Sequence, residues 1–323
     1  MRQWIVGAAQ AAAIAAISLL GLPTWAAAGA GLWSTTYKAT PSNCSIFSGP
    51  DLNNFCYSEY EGSLELGVRF TTSERVLVTG LRVYRVDPAD GMSGTLWNAE
   101  GEGSALATGA FAAKTDHGWQ DMEFAVPVLI EPYTNYIASY HAPDGPFAFE
   151  HYFFASSSFA AGPITALQSI SPDRGNGVYC YGSTPCFPTD TNWTYNTNYW
   201  VTPLWAYAFS GFYQPVDNGG VWNKAKAGSA IPVKFSLDGY HGLSILKDGY
   251  PRVTSVACPN GATPTDVIEE TTSAGSSGLT YDPSAGQYVY VWKTNKSWAG
   301  KCYSFELGLI DDTSRTFFVQ FFR

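Results

Sequence analysis

The sequence predicts an all-β protein of two sandwich domains, a jelly-roll-like one followed by an immunoglobulin-like one. Three observations carry that expectation. Apolar residues alternate with polar ones over short windows, the period of half-buried strands. Gly, Pro, Asn and Asp fall between those windows, where the chain must turn. Composition agrees: among 323 residues 32 are Gly and 19 Pro, aromatics reach 15% and charged residues fall to 14%, against ~25% in ordinary globular domains. Apolar residues make up 46%, enough for a buried core. Beyond the N-terminus no window shows a helical period.

Taken in order, Arg2 precedes an Ala-rich apolar stretch from Ile5 to Leu22, which Pro23 breaks before Ala26-Ala27-Ala28-Gly29. That is the order of a secretory signal peptide. Residues 1–28 are therefore expected to be removed by a cut after Ala28, with Ala30 as the alternative site. A retained membrane anchor is the competing reading, because the run approaches spanning length. No later segment is apolar and long enough to span a bilayer. Residues 29–60 are rich in Gly, Ser, Thr and Asn and read as an irregular lead-in.

Alternation begins with Leu64, Leu66, Val68 and Phe70, and a second strand runs from Val76 to Val86. Asp87-Pro88-Ala89-Asp90-Gly91 is a turn; it hints at a calcium loop but lacks the full acidic run, so no metal is expected. Short strands follow at Leu96–Trp97, Ala105–Phe111, Trp119–Val128 and Tyr136–His141. Asp144-Gly145-Pro146 breaks the chain, and strands return at Gly177–Tyr181 and Tyr199–Phe209. The first domain is assigned to 29–210 and the second to 211–323. In the second, Ile231, Val233, Phe235 and Leu237 alternate, as do Tyr303, Phe305, Leu307 and Leu309, then Phe317, Val319 and Phe321. Each half has its own strands and cysteines, so truncation near Ser210 should give two independently folding pieces.

The cysteines are Cys44, Cys56, Cys180, Cys186, Cys258 and Cys302. An even count in an exported chain implies disulfides, although six cysteines allow many pairings. Proximity favours Cys44–Cys56, Cys180–Cys186 and Cys258–Cys302, with Trp292 as a core partner for the last. The net charge of −9 repels phosphate backbones and anionic lipid. No nucleic-acid partner is expected, nor a membrane partner once the signal is gone.

Two family resemblances follow from longer motifs. Residues ~61–209 resemble the bacterial domain-of-unknown-function family 4082. The motifs are Leu64-Glu65-Leu66-Gly67-Val68-Arg69-Phe70, Val78-Thr79-Gly80-Leu81-Arg82-Val83-Tyr84, Gly94-Thr95-Leu96-Trp97, Gly118-Trp119-Gln120, Tyr136-Ile137-Ala138-Ser139-Tyr140-His141-Ala142-Pro143, Asn176-Gly177-Val178-Tyr179 and Asn198-Tyr199-Trp200-Val201. The family has Asp after its Tyr-Trp-Val where this chain has Thr202, so a role for that carboxylate does not carry over. Residues ~211–323 resemble the PxKF domain through Pro232-Val233-Lys234-Phe235, Lys226-Ala227-Gly228-Ser229, Tyr288-Val289-Tyr290-Val291-Trp292-Lys293-Thr294 and Trp298-Ala299-Gly300-Lys301-Cys302. The resemblances imply exported accessory modules and no established activity.

Catalytic signatures are missing. His117, His141, His151 and His241 form no H-E-x-x-H or other tight ligand spacing. There is no G-x-S-x-G elbow and no phosphate-binding glycine loop. Glu269–Glu270 and Asp311–Asp312 are neighbours, which on a strand point to opposite faces. The chain is thus expected not to be an enzyme and to need no cofactor. One stretch is dense in recognition residues: Tyr140, His141, Asp144, Glu150, His151 and Tyr152 flank the Pro/Gly break, aromatic faces beside hydrogen-bonding groups, as a sugar ring requires. Core packing of Tyr140 and a plain loop around the rest is the alternative. Trp97, Trp119 and Trp200 read as core rather than stacking platforms, and Lys234 as a solvated strand residue. The expectation is a secreted extracellular binding or adhesion module, its partner a polysaccharide or a cell-surface component. The alternatives are a structural spacer of the cell surface and a hydrolase with a dispersed site.

Overall fold

The computed structural model describes residues 29–36, 56–58, 60, 62–86, 91–101, 103–113, 118–143, 145–218, 220–259, 265–268 and 278–323. The expected signal peptide, the Cys44–Cys56 pairing, the turn at 87–90, His117, Asp144 and Glu269–Glu270 lie outside the described residues. Strands take 52% of the chain and no α-helix occurs among the described residues, which makes the protein all-β.

The first set of strands is β1 (Cys56–Ser58), β2 (Leu64–Thr72), β3 (Val76–Arg85), β4 (Ser93–Asn98), β5 (Ser104–Ala110), β6 (Gly118–Ile130), β7 (Tyr136–Ala142), β8 (Phe147–Phe149), β9 (Phe159–Ala161), β10 (Ile164–Ala166), β11 (Val178–Tyr181), β12 (Asp190–Thr191) and β13 (Val201–Ala206). They form an antiparallel eight-stranded sheet, ordered β12-β11-β2-β7-β4-β5 with β10 also paired to β2 and β9 paired to β10, a three-stranded sheet β13-β3-β6 and a separate two-stranded ribbon β1-β8. The chain crosses between the sheets at β2→β3, β3→β4, β5→β6 and β6→β7, the sheet-swapping habit of a jelly roll. Alternation explains the core: Leu64, Leu66, Val68 and Phe70 turn inward with Tyr136, Ala138 and Tyr140 of the neighbouring strand. Burying each of the larger side chains contributes about 1.5–3 kcal/mol.

The second set is β14 (Ser210–Tyr213), β15 (Trp222–Lys226), β16 (Ala230–Ser236), β17 (Arg252–Val256), β18 (Thr265–Val267), β19 (Leu279–Asp282), β20 (Gln287–Lys293), β21 (Cys302–Gly308) and β22 (Ser314–Phe322). One sheet is ordered β14-β16-β20-β19 and the other β17-β21-β22-β15-β18. This is the A-B-E-D and C-F-G order of an immunoglobulin sandwich. Its first strand is divided between the sheets, so that β15 runs parallel to β22. Trp292 packs between the sheets, its ring 4.9 Å from that of Phe305 and 5.8 Å from that of Phe321. The disulfides Cys180–Cys186 and Cys258–Cys302 are formed.

Two features depart from the sequence reading. The lead-in is ordered at its start: Leu32 and Trp33 are buried, and Trp33 meets Trp200 edge-on with centroids 5.3 Å apart. Composition hid two strong hydrophobes among small polar residues. The sandwiches are also tied together. Ala30 N donates to Asp311 O at 2.9 Å while Ala30 O accepts from Trp205 N at 2.8 Å, and Tyr207 N donates to the Asp311 carboxylate at 2.7 Å. Glu74 meets His241 at 2.7 Å and Arg75 meets Asp238 at 3.0 Å. Phe209 stacks on Phe235, centroids 5.7 Å apart.

Candidate functional site

The two-stranded ribbon β1–β8 pairs with neither larger sheet of the first set, and Ser58, Phe147 and Phe149 from it line a groove of about 520 Å³. Leu64 and Leu66 form its floor. Tyr179 and Tyr181, two apart on β11, turn to the same side as those leucines because β11 pairs with β2 in that register. Their centroids lie 5.6 Å apart, and Tyr60 continues the row at 5.9 Å from Tyr181. The opposite wall is Phe147, Phe149 and His151, backed by Tyr195, Thr197 and Tyr199.

That wall is built by pairing of two irregular segments. Glu150 and Asn198 exchange backbone hydrogen bonds at 2.9 Å, and Tyr152 N donates to Tyr195 O at 2.5 Å. Gly177, with φ +75°, lets β11 begin against this segment; a Cβ there would collide with the Thr197 carbonyl. His151 stacks on Tyr195, centroids 4.3 Å apart, and its Nδ1 is 3.0 Å from Thr197 Oγ1. Burial holds the His151 imidazole below its usual value, so it is neutral at pH 7. Among the described residues no lining residue is Asp, Glu, Lys or Arg. Their side chains make an aromatic trough with a few hydroxyl, amide and imidazole groups.

The structure separates the residues that the sequence brought together. Tyr140 is buried in the core, where burial raises its hydroxyl above the usual value. His141 faces the other side of β7 and is buried as well. Neither presents a surface to a ligand, because adjacent strand residues alternate between two covered faces. Glu150 flanks the groove without lining it, and burial pushes its carboxyl up to about 7. His151 lines the groove. Tyr152 is exposed at the rim, in left-handed backbone with φ 63° and its ring 6.0 Å from Tyr195. Trp200 is core and Trp97 donates to Ser139 Oγ at 2.7 Å. Thr202 is buried, its Oγ1 accepting from Leu32 N at 2.9 Å. Sequence reading passed over Tyr60, Tyr179, Tyr181 and Tyr195. The available signal was the Tyr-x-Tyr at 179–181, which sets two rings on one face of a strand.

Opposite Cys180 on the neighbouring strand lies a second polar group. Glu65 is fully buried; it accepts a hydrogen bond from the Ser139 hydroxyl and lies 3.5 Å from His141 Nδ1. His141 Nε2 is 3.1 Å from Ser63 Oγ. Burial pushes Glu65 up to about 8 and His141 down, so at neutral pH this is a contact between two uncharged groups. Asp311 and Asp312 diverge as expected of neighbours. Asp311 is buried at the junction, whereas Asp312 pairs with Lys247 at 2.6 Å on the surface.

Among the described residues no three His, Cys, Asp or Glu side chains gather to hold a metal ion, and no helix is long and apolar enough to cross a membrane. No curated protein matches the chain. Residues 53–201, which hold every lining residue of the groove and the first sandwich apart from most of β13, match the model of the family described as "Domain of unknown function (DUF4082)".

Proposed function

We propose that the protein is an exported, non-catalytic binding module that holds a neutral polysaccharide in the aromatic groove. The observation that carries this reading is the lining itself: tyrosine faces in series, hydroxyl and amide groups between them, and no charged side chain among the described residues. Sugar CH groups stack on such faces while hydroxyls take the polar groups, and the volume falls in the ~300–1,000 Å³ range of ligand sites. The two disulfides fit export to an oxidising compartment, as does the signal-like N-terminus. In this reading residues 29–210 are the recognition module and 211–323 a PxKF-type companion, with no cofactor. The test is binding to a panel of neutral polysaccharides with Tyr181→Ala and Tyr195→Ala. Each should weaken binding about tenfold, the loss of a stacking contact of about 1–2 kcal/mol, with melting unchanged. Unchanged affinity places the ligand elsewhere.

A spacer role is the second reading, favoured by the rigid junction at Ala30, Tyr207 and Asp311. It gains ground if the unmodified protein binds nothing in the panel.

A further inference from the structure

We infer that a second concavity, on the opposite face of the eight-stranded sheet, is an oxyanion-binding site built around Arg69 and Arg174. Its volume is about 310 Å³, and Asn135, Ser158 and Gln168 complete the polar lining. Arg69 alternates with Val68 and Phe70, which point into the core, so its side chain leaves the far side of β2. The site is separate from the groove and the inference does not depend on the groove's ligand.

Three observations converge here. First, two guanidinium groups share one cavity. Among the described residues neither has a carboxylate in ion-pair contact, whereas Arg75, Arg82 and Lys247 each have one. Second, Arg69 Nε is buried with no acceptor; such a donor is costly to leave unmet. Burial, and then the charge of Arg174, hold the Arg69 guanidinium below its usual value. An anion between the two would relieve both effects. Third, the site is preorganised. Arg69 N donates to Asn176 Oδ1 at 2.8 Å, and Asn176 Nδ2 donates to Arg69 O at 2.8 Å and Leu167 O at 2.7 Å. That one side chain fixes the strand and the loop on which the lining stands.

Two carboxylates lie farther off. Glu100 Oε1 accepts from Asn135 N and Nδ2 at 3.1 and 3.0 Å, and Asp173 is fully exposed beside Arg174. They offset the long-range charge of the pair, and the chain as a whole carries −9. Selection therefore comes from short forked hydrogen bonds, the geometry in which guanidinium binds carboxylate, sulfate and phosphate oxygens. The ligand class is an oxyanion, either the carboxylate of an acidic sugar or a free inorganic ion.

The experiment measures the melting temperature of the full mature chain against sodium sulfate, inorganic phosphate and sodium galacturonate, each compared with sodium chloride at equal ionic strength. A saturable rise is expected with at least one of the three. It should shrink at least about tenfold in apparent affinity in Arg174→Gln, the loss of one charged hydrogen-bonding fork. Arg174 is exposed, so this variant keeps the fold if Arg69→Gln does not. Tyr195→Ala should leave the response intact, which keeps failure of this site distinct from failure of the groove. A response to galacturonate identifies an acidic saccharide as the source; a response to sulfate or phosphate alone identifies a free ion. No saturable rise with any anion, or a rise unaltered in Arg174→Gln, overturns the inference.

Discussion

Glu65 sits between Leu64 and Leu66 on β2, yet its side chain turns to the other face and is fully buried against Ser139 and His141. Burial raises its carboxyl from 4.5 to about 8. The folded protein thus keeps a proton that the unfolded chain releases above pH 4.5. Linkage then requires stability to be greatest below that value and to fall as pH rises toward 8. The loss from this residue is on the order of 3–5 kcal/mol. Glu65→Gln keeps the hydrogen-bond geometry and removes this titration, so in urea unfolding from pH 5 to 8.5 its stability should fall less than that of the unmodified protein, the remaining decline coming from Glu150, whose carboxyl burial also raises. A parallel decline in both would show that another group is responsible. Alternation in the sequence placed Glu65 opposite the leucines correctly. It could not show that this face is buried too, because the side chains that meet it, Ser139 and His141, stand on a strand far along the chain.

At the scale of elements, long strands were legible and short ones were not. The expected strands at 76–86, 119–128 and 136–141 correspond to β3, β6 and β7 within a few residues, since each has enough apolar positions to show its period. The three-residue strands β1, β8, β9 and β10 are too short for any period, and β1 and β8 make the groove wall. The groove was accordingly invisible as a unit, although two of its rings, Tyr179 and Tyr181, stand on β11, which was read. Cys180 lies on β11 between Tyr179 and Tyr181, so its bridge to Cys186 fixes the strand that presents them. Replacing both cysteines by Ser should cost up to about 2.4 kcal/mol in the chain-entropy picture and weaken groove binding. Removing Cys258–Cys302, which closes 44 residues, should cost up to about 4 kcal/mol and leave groove binding alone. Chemical denaturation and a binding assay on the two double variants check both halves. Equal effects on binding would mean that the groove does not depend on β11.

For the whole molecule, the sequence shows two alternating halves but not the strap that joins them. Residues 29–34 lie against both sandwiches. Ala30 bridges Trp205 of the first and Asp311 of the second, and Trp33 fills a space among Phe153, Phe159 and Trp200. The buried Asp311 carboxylate reaches across to Tyr207 N and is held by Thr313. A boundary near Ser210 would therefore cut a packed junction, with Phe209 and Phe235 in contact across it. The 211–323 fragment has two complete sheets and a disulfide and should fold, but at a lower melting temperature than the same unit within the chain. Trp33→Ala should cost about 3–5 kcal/mol, the usual penalty for emptying a large aromatic site. Removing residues 29–34 should do more, because it also takes away the Ala30 hydrogen bonds to both units and leaves the Phe209–Phe235 stack, the Tyr207–Asp311 hydrogen bond and the Arg75–Asp238 and Glu74–His241 contacts to join them. Calorimetry of residues 29–323 should show one cooperative transition, resolving into two once the strap is deleted. A single unshifted transition in the deletion variant would mean that Phe209, Tyr207 and the Glu74–His241 pair couple the sandwiches without it.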